Sequence, residues 1–119
     1  MKIMVVDDSS IMRRIIGGNL KSAGFTEIVE ASNGAEAINN IEGVELVLTD
    51  WNMPIMDGLT LVKEIRKRSE LAKVPIIMIT TEGAKAEVME ALKQGVSNYI
   101  VKPFTPETLV EKVKATLGK

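Results

Sequence analysis

Four aspartates are the residues of this chain with the clearest potential for chemistry. Asp7 and Asp8 are adjacent, Asp50 stands alone and Asp57 lies in a turn, whereas the twelve glutamates are scattered along the 119 residues. The chain has no histidine and no cysteine. Ser-His catalysis, histidine-ligated zinc, an internal phosphohistidine, disulfides and thiolate metal sites are therefore excluded.

Five polar residues each stand at the end of an apolar run of strand length. They are Asp7 and Asp8 after residues 2–6, Asp50 after 45–49, Thr80 after 74–79 and Lys102 after 97–101. In open α/β sheets the ligand site lies beyond the carboxyl ends of the strands, at the point where the strand order reverses. We therefore predict that these five residues converge on one edge of a sheet.

Three clustered carboxylates indicate a site for a divalent cation. Two unit charges 4 Å apart repel by about 4 kcal/mol at an effective dielectric constant of about 20. Mg²⁺ prefers carboxylate and carbonyl oxygens with retained water, and it would relieve that repulsion. The alternative for Asp7 and Asp8 is capping of the next helix, whose dipole favours negative charge. Asp57, before Gly58, is interpreted as a turn or cap residue.

A carboxylate beside Mg²⁺ can also act as a nucleophile. Attack of Asp50 on a phosphoryl group would give an acyl phosphate, and this reaction depends mainly on positioning and on neutralising the phosphoryl oxygens. The cation, the Lys102 ammonium and the Thr80 hydroxyl could each stabilise one side of that group. Lys102 could instead be a solvated loop lysine, and Thr80 could simply close a strand.

Apolar runs of strand length alternate with amphipathic helical stretches along the chain. Strands are predicted at residues 2–6, 27–30, 45–49, 74–79 and 97–101, and helices at 9–23, 33–41, 85–94 and 105–117, with one more helix marked by the spacing of Leu61, Val62 and Ile65. Strands that are apolar throughout are buried on both faces, which implies a parallel sheet covered by helices. The sequence thus predicts an α/β fold of five βα units in a single domain, residues 1–119.

Composition and charge argue against two classes of partner. The net charge is −1, which gives no field to attract nucleic acid or an acidic membrane. No apolar run approaches 18 residues, and the opening MKIMVVDD lacks the apolar core of a signal peptide. We expect a cytoplasmic monomer that binds neither nucleic acid nor membranes.

Four sequence blocks match one known family. In chain order they are MKIMVVDDSS, LVLTDWNMPIMDG, IIMITTEG and NYIVKPFTPETL. Together they resemble the receiver domains of two-component response regulators over essentially the whole chain, and the tryptophan after Asp50 is similar to that of the chemotaxis members. The resemblance implies a five-stranded parallel sheet in the flavodoxin-like order 2-1-3-4-5, with five helices on its two faces.

The resemblance also implies a role for each residue of the metal site. Asp50 would be the phosphorylated residue. Mg²⁺ would be held by Asp7, Asp8, Asp50 and the backbone carbonyl of Asn52. These assignments agree with the carboxylate cluster that the strand ends predict.

The phosphoryl group and the switch are assigned in the same way. Thr80 and Lys102 would bind the phosphoryl group. Tyr99 would be the aromatic residue that turns inward when Thr80 moves towards the phosphate. The peptide bond between Lys102 and Pro103 is expected to be cis.

Signal input and output follow from the resemblance as well. Because the chain has no histidine, the phosphoryl donor would be a histidine kinase or a small phosphodonor. The protein would not be an enzyme beyond self-phosphorylation and slow loss of its own phosphoryl group. Output would pass through docking of the face made of residues 85–94, 97–101 and 105–117 to a flagellar motor switch protein, with a phosphatase as a further partner.

Three alternative functions remain open. A phosphorelay intermediate would pass the phosphoryl group from Asp50 to another histidine protein. A flavin-binding protein of this architecture would need a hydroxyl- and glycine-rich loop after the first strand, where this chain has two carboxylates. A metal-dependent phosphohydrolase with an aspartyl nucleophile would need a second acid or base and a cap region, and neither is evident in the sequence.

Overall fold

Five parallel strands form one sheet in the computed structural model, which describes residues 1–81 and 85–118. The strands are β1 (Lys2–Val6), β2 (Glu27–Ala31), β3 (Leu46–Asp50), β4 (Ile76–Thr80) and β5 (Asn98–Val101). Their order across the sheet is β2-β1-β3-β4-β5, and every neighbouring pair is parallel. The predicted α/β fold and strand order are confirmed. The last two residues of the IIMITTEG block, 82 and 83, lie outside the described residues.

In the residues that the structure describes, five α-helices connect and cover the strands. They are α1 (Ser10–Ser22), α2 (Gly34–Asn39), α3 (Gly58–Lys67), α4 (Lys85–Lys93) and α5 (Pro106–Leu117), and a short 3₁₀ helix, Ser69–Leu71, precedes β4. The 3₁₀ helix was not predicted. Within the described part of the chain, no helix combines the length and apolar character needed to cross a bilayer.

The core has two layers because alternate strand residues face opposite sides of the sheet. Met4 and Val6 of β1 pack with α2 and α3 on one side, whereas Ile3 and Val5 pack with α1 and α5 on the other. The central strands β1, β3 and β4 are buried along nearly their whole length. Burial on both faces explains why these strands appear in the sequence as continuous apolar runs.

Two predicted strands are shifted towards the carboxyl end. Residues 45–49 were predicted and β3 is Leu46–Asp50; residues 74–79 were predicted and β4 is Ile76–Thr80. The amide of Val74 instead bonds the carbonyl of Leu71 at 3.2 Å, in the turn that follows the 3₁₀ helix. The shift matters for function, because it makes Asp50 and Thr80 the last residues of their strands, where the ladder fixes their backbones.

Polar side chains begin four of the helices. Ser9, Asn33, Asp57 and Thr105 each accept a hydrogen bond from the backbone amide three residues later, as N-cap residues do. The interpretation of Asp57 as a cap residue is confirmed by its 2.8 Å bond from the Thr60 amide. Ser9, rather than Asp7 or Asp8, caps α1, so the capping alternative for the two aspartates is wrong.

Candidate functional site

Three carboxylates meet at the carboxyl edge of the sheet. Oxygen atoms of Asp7, Asp8 and Asp50 all lie within 4.8 Å of one another. Asp7 follows β1 and is 2% exposed, Asp8 is exposed, and Asp50 ends β3 with 12% of its side chain exposed. The convergence predicted for these residues is confirmed.

Asp7 is held in place by its neighbours in the fold. Its amide donates to the carbonyl of Ala31 at 3.0 Å, which continues the β1–β2 ladder beyond the last residue of β1. Its Oδ1 accepts a hydrogen bond from the amide of Ser9 at 2.9 Å. A buried carboxylate needs such partners, because an unpaired buried charge is strongly destabilising.

Lys102 supplies the positive charge of the site. Its Nζ lies 3.2 Å from Asp7 Oδ2 and 3.3 Å from Asp50 Oδ1, and only 15% of its side chain is exposed. Its amide donates to the carbonyl of Thr80 at 2.8 Å, and the Lys102–Pro103 bond is cis as expected. The alternative of a solvated loop lysine is therefore wrong.

Burial raises the pKa of Asp50 above the usual aspartate value of 3.8. The negative charge of Asp7 acts in the same direction, whereas the ammonium of Lys102 and the amide of Trp51, which donates to Asp50 Oδ1 at 2.8 Å, lower the pKa. The net effect of these four influences is a pKa of Asp50 above 3.8. The ionised form of Asp50 is thus disfavoured without a cation, and a divalent ion at this position would stabilise it.

The three remaining predicted residues differ in their position relative to the strand ends and in their burial. Thr80 is 1% exposed and ends β4, one residue beyond the β4 partner of Asp50, so it lies at the same edge. Asn52 is exposed in the loop after β3. Tyr99 pairs with Met78, two residues before Thr80, and lies half-buried with Lys112 Nζ 5.0 Å from its ring centroid.

Gly58 is a site residue whose importance the sequence did not reveal. A Cβ atom at this position would lie 2.1 Å from the backbone carbonyl oxygen of Asp50. The Gly58 amide donates to the carbonyl of Trp51 at 2.8 Å, which pulls the start of α3 against the end of β3. The Asp-Gly pair signalled a helix start, but only the tertiary packing shows that a side chain would collide with the backbone of Asp50.

The loop between β3 and α3 contains a strained turn. Ile55 has φ of 68°, which is unfavourable for a β-branched residue, and the amide of Met56 bonds the carbonyl of Pro54 at 2.7 Å. The carbonyl of Met56 in turn accepts from the amide of Gly34 at 3.0 Å. The turn therefore joins the loop after Asp50 to the start of α2. The Ile55 side chain at its tip is 83% exposed.

The residues present fit a magnesium ion. All three side chains offer oxygen, the ligand that Mg²⁺ prefers, and their oxygens lie within 4.8 Å of one another. Opposite oxygens on one Mg²⁺ are about 4.2 Å apart, so the cluster is close to the size that the ion needs. Asp8 is exposed, which leaves a side on which water ligands can remain. The carboxylate pair after β1 also stands where a flavin phosphate loop would need hydroxyl groups and glycine.

Comparisons with known proteins agree with this geometry. Residues 3–114 match the family model described as response regulator receiver domain. The chain is 54% identical to chemotaxis protein CheY1 of Helicobacter pylori, over 99% of this chain and 98% of that protein. It is also 54% identical to the chemotaxis protein CheY homolog of Campylobacter jejuni, over 99% and 93%.

Solved structures resemble the whole chain as well. The chemotaxis response regulator CheY4 of Vibrio cholerae has a TM-score of 0.90 and 34% identity, with 97% of each chain covered. The CheX-CheY-BeF3-Mg+2 complex from Borrelia burgdorferi has a chain with a TM-score of 0.91 and 28% identity, covering 100% of this chain and 90% of that one. The similarity is thus not confined to the sheet.

Proposed function

Since the chain belongs to the response regulator receiver domain family, we propose that Asp50 accepts a phosphoryl group from a histidine of another protein in a Mg²⁺-dependent reaction. Receiver domains are signalling proteins rather than classical enzymes. The observation that carries the proposal is the cluster of Asp7, Asp8 and Asp50 with the Lys102 ammonium between two of the carboxylates.

The proposed chemistry is a displacement at phosphorus. An Asp50 carboxylate oxygen forms a bond to phosphorus while the phosphorus–nitrogen bond of the donor breaks and its electron pair stays on the imidazole. Lys102 is within reach of Asp50 and would pair with a phosphoryl oxygen, and the Thr80 hydroxyl would donate to another. Asp7, Asp8, Asp50 and the Asn52 carbonyl would hold Mg²⁺, which would supply positive charge that offsets the negative charge of the phosphoryl oxygens.

Incubation with acetyl phosphate and Mg²⁺ is expected to increase the intact mass by one phosphoryl group. Replacement of Asp50 with asparagine removes the nucleophilic oxygen and should abolish the increase, and chelation of Mg²⁺ should do the same. Intact-protein mass spectrometry measures both. A phosphoryl adduct of unchanged yield on Asp50→Asn would place the acceptor elsewhere and disprove the assignment.

The output proposal concerns a surface made of α4, β5 and α5, called here the output face. Its exposed apolar side chains include Met89, Leu92 and Val101, at 59%, 44% and 40% exposure. Such a group of exposed side chains is suited to partner docking.

The chemotaxis names of the relatives support a flagellar motor switch protein as the partner, a histidine kinase as the donor and a cytoplasmic location. The relative solved with CheX supports a further partner, proposed to be a phosphatase.

Beryllofluoride with Mg²⁺ is expected to strengthen binding of this protein to a motor switch peptide. We expect Lys102→Ala to bind Mg²⁺ but to show no gain in peptide binding, because the contact that reports the phosphoryl group is lost. A pull-down with and without beryllofluoride measures the gain, and Lys63→Ala, an exposed lysine of α3, is the matched control. Wild-type binding that is indifferent to beryllofluoride would refute the chemotaxis output and leave the phosphorelay alternative; a fully responsive Lys102→Ala would refute the role of Lys102.

A further inference from the structure

Arg13 joins three elements around the backbone of Asp7. Its side chain, on α1, is 16% exposed; Nε donates to Glu30 Oε1 at 2.9 Å, and Nη1 donates to the backbone carbonyl of Asp7. Glu30 belongs to β2, and the next residue, Ala31, accepts the hydrogen bond from the Asp7 amide. Both backbone polar groups of Asp7 are therefore held, one by β2 and the other by an arginine anchored on β2.

The Asp7 carbonyl belongs to the peptide that joins two of the three clustered carboxylates. A peptide unit is planar, so fixing its carbonyl oxygen fixes the direction in which the chain continues. Asp7 itself is buried within the fold, whereas Asp8 is exposed beyond the end of β1. The orientation of the Asp7–Asp8 peptide therefore determines the point from which the Asp8 side chain extends relative to Asp7 and Asp50.

We infer that Arg13 is a positioning residue for the divalent cation site and acts through the Asp7 carbonyl. The inference rests on the proposed function, because it concerns the same site. Geometry and charge predict opposite effects on Mg²⁺ affinity. Loss of the arginine charge would strengthen cation binding, since like charges repel, whereas loss of the hydrogen bond to Asp7 would weaken it by loosening the ligand arrangement.

Two neighbouring arginines provide a matched pair for the test. Arg14 is the next residue of α1 and is exposed, so Arg13→Gln and Arg14→Gln remove the same charge from adjacent helix positions. The Mg²⁺ dissociation constant is measured by titration calorimetry and by Trp51 fluorescence, and the free energy of unfolding is measured in chelator. We expect a Kd about tenfold higher for Arg13→Gln, the lower end of the range for residues that orient metal ligands, and a Kd equal to or below that of wild type for Arg14→Gln.

A second variant keeps the test decisive if Arg13→Gln fails to fold. Glu30→Gln leaves the arginine in place but removes its charged anchor, and Glu27→Gln, an exposed glutamate of the same strand, removes the same charge without touching the arginine. We expect a larger increase in Kd for Glu30→Gln than for Glu27→Gln. Equal Kd values for Arg13→Gln and Arg14→Gln, with or without a loss of stability, would overturn the inference, as would equal Kd values for Glu30→Gln and Glu27→Gln where that pair has to decide. Wild-type protein that does not bind Mg²⁺ would overturn the proposed function together with the inference.

Discussion

Gly58→Ala is expected to lower the free energy of unfolding by about 3 kcal/mol, the upper end of the usual range for overpacking, and to abolish measurable Mg²⁺ binding. The added Cβ would lie 2.1 Å from the Asp50 carbonyl oxygen and 3.0 Å from Trp51 Cα. Both neighbours are backbone atoms and cannot rotate away. Relief requires the start of α3 and the end of β3 to separate, which moves the Asp50 carboxylate.

The control for Gly58→Ala is the same chemical change in open space. Gly18 lies within α1, and a Cβ there would have no heavy atom within 4 Å. Gly18→Ala should therefore raise stability by about 1 kcal/mol through helix propensity and leave Mg²⁺ affinity unchanged. Urea unfolding followed by circular dichroism and a Mg²⁺ titration measure both variants. A Gly58→Ala protein with wild-type stability and Mg²⁺ affinity would contradict the close packing described for this loop.

Asp50→Asn is expected to be more stable than wild type in chelator at pH 7 and less stable in saturating Mg²⁺. Burial disfavours the ionised Asp50 side chain, so a neutral amide of similar size relieves that cost. Mg²⁺ should then stabilise the wild type by about 2.7 kcal/mol at a concentration one hundred times its Kd, whereas the variant has lost a ligand and gains less. Urea unfolding with and without Mg²⁺ measures this reversal.

The pH dependence of this difference provides an independent check. Because the pKa of Asp50 is raised in the folded state, the folded protein binds more protons at this residue than the unfolded protein does between pH 3.8 and the raised pKa. As the pH falls through this window, the cost of burying the ionised Asp50 side chain in the metal-free wild type disappears. The advantage of Asp50→Asn in chelator should be constant above the raised pKa and vanish below 3.8. An advantage that grows towards acid pH, or a variant less stable than wild type in chelator at pH 7, would contradict the pKa direction.

The site could be predicted from sequence largely because the sheet is parallel. In a parallel sheet the carboxyl ends of all strands lie at one edge, so a polar residue after each apolar run already has an approximate position in space. Asp7 and Asp50 meet this expectation, because each has a carboxylate oxygen within 3.3 Å of Lys102 Nζ. The order of the strands was supplied by the family resemblance rather than by the periodicity.

Features that depend on contacts between distant segments were not predictable. No sequence pattern links Arg13 with Glu30 or predicts the Gly58 backbone against Asp50, because each pairing depends on how separate elements pack. The N-cap of α1 was also ambiguous, since Asp7, Asp8 and Ser9 are all good capping residues. Only the hydrogen bond from Met12 to Ser9 decides it.

The Gly17-Gly18 pair in α1 remains without a packing explanation. A Cβ at Gly17 would make an ordinary contact with Ile28 Cγ2 at 3.8 Å, and one at Gly18 would meet open space. Neither glycine has a positive φ. Each glycine costs about 1 kcal/mol relative to alanine inside a helix. Nothing in the structure explains why the pair is present despite this cost.

A crystal structure of the protein with Mg²⁺ and beryllofluoride would show whether the strand-end residues form one site for a cation and a phosphoryl group. We expect beryllium bonded to a carboxylate oxygen of Asp50 and Mg²⁺ about 2.1 Å from oxygens of Asp7, Asp8, Asp50 and Asn52. Lys102 Nζ and the Thr80 hydroxyl should contact fluorine atoms. Beryllofluoride bound at another residue, or a Lys102 side chain directed away from Asp50 in that complex, would contradict this expectation.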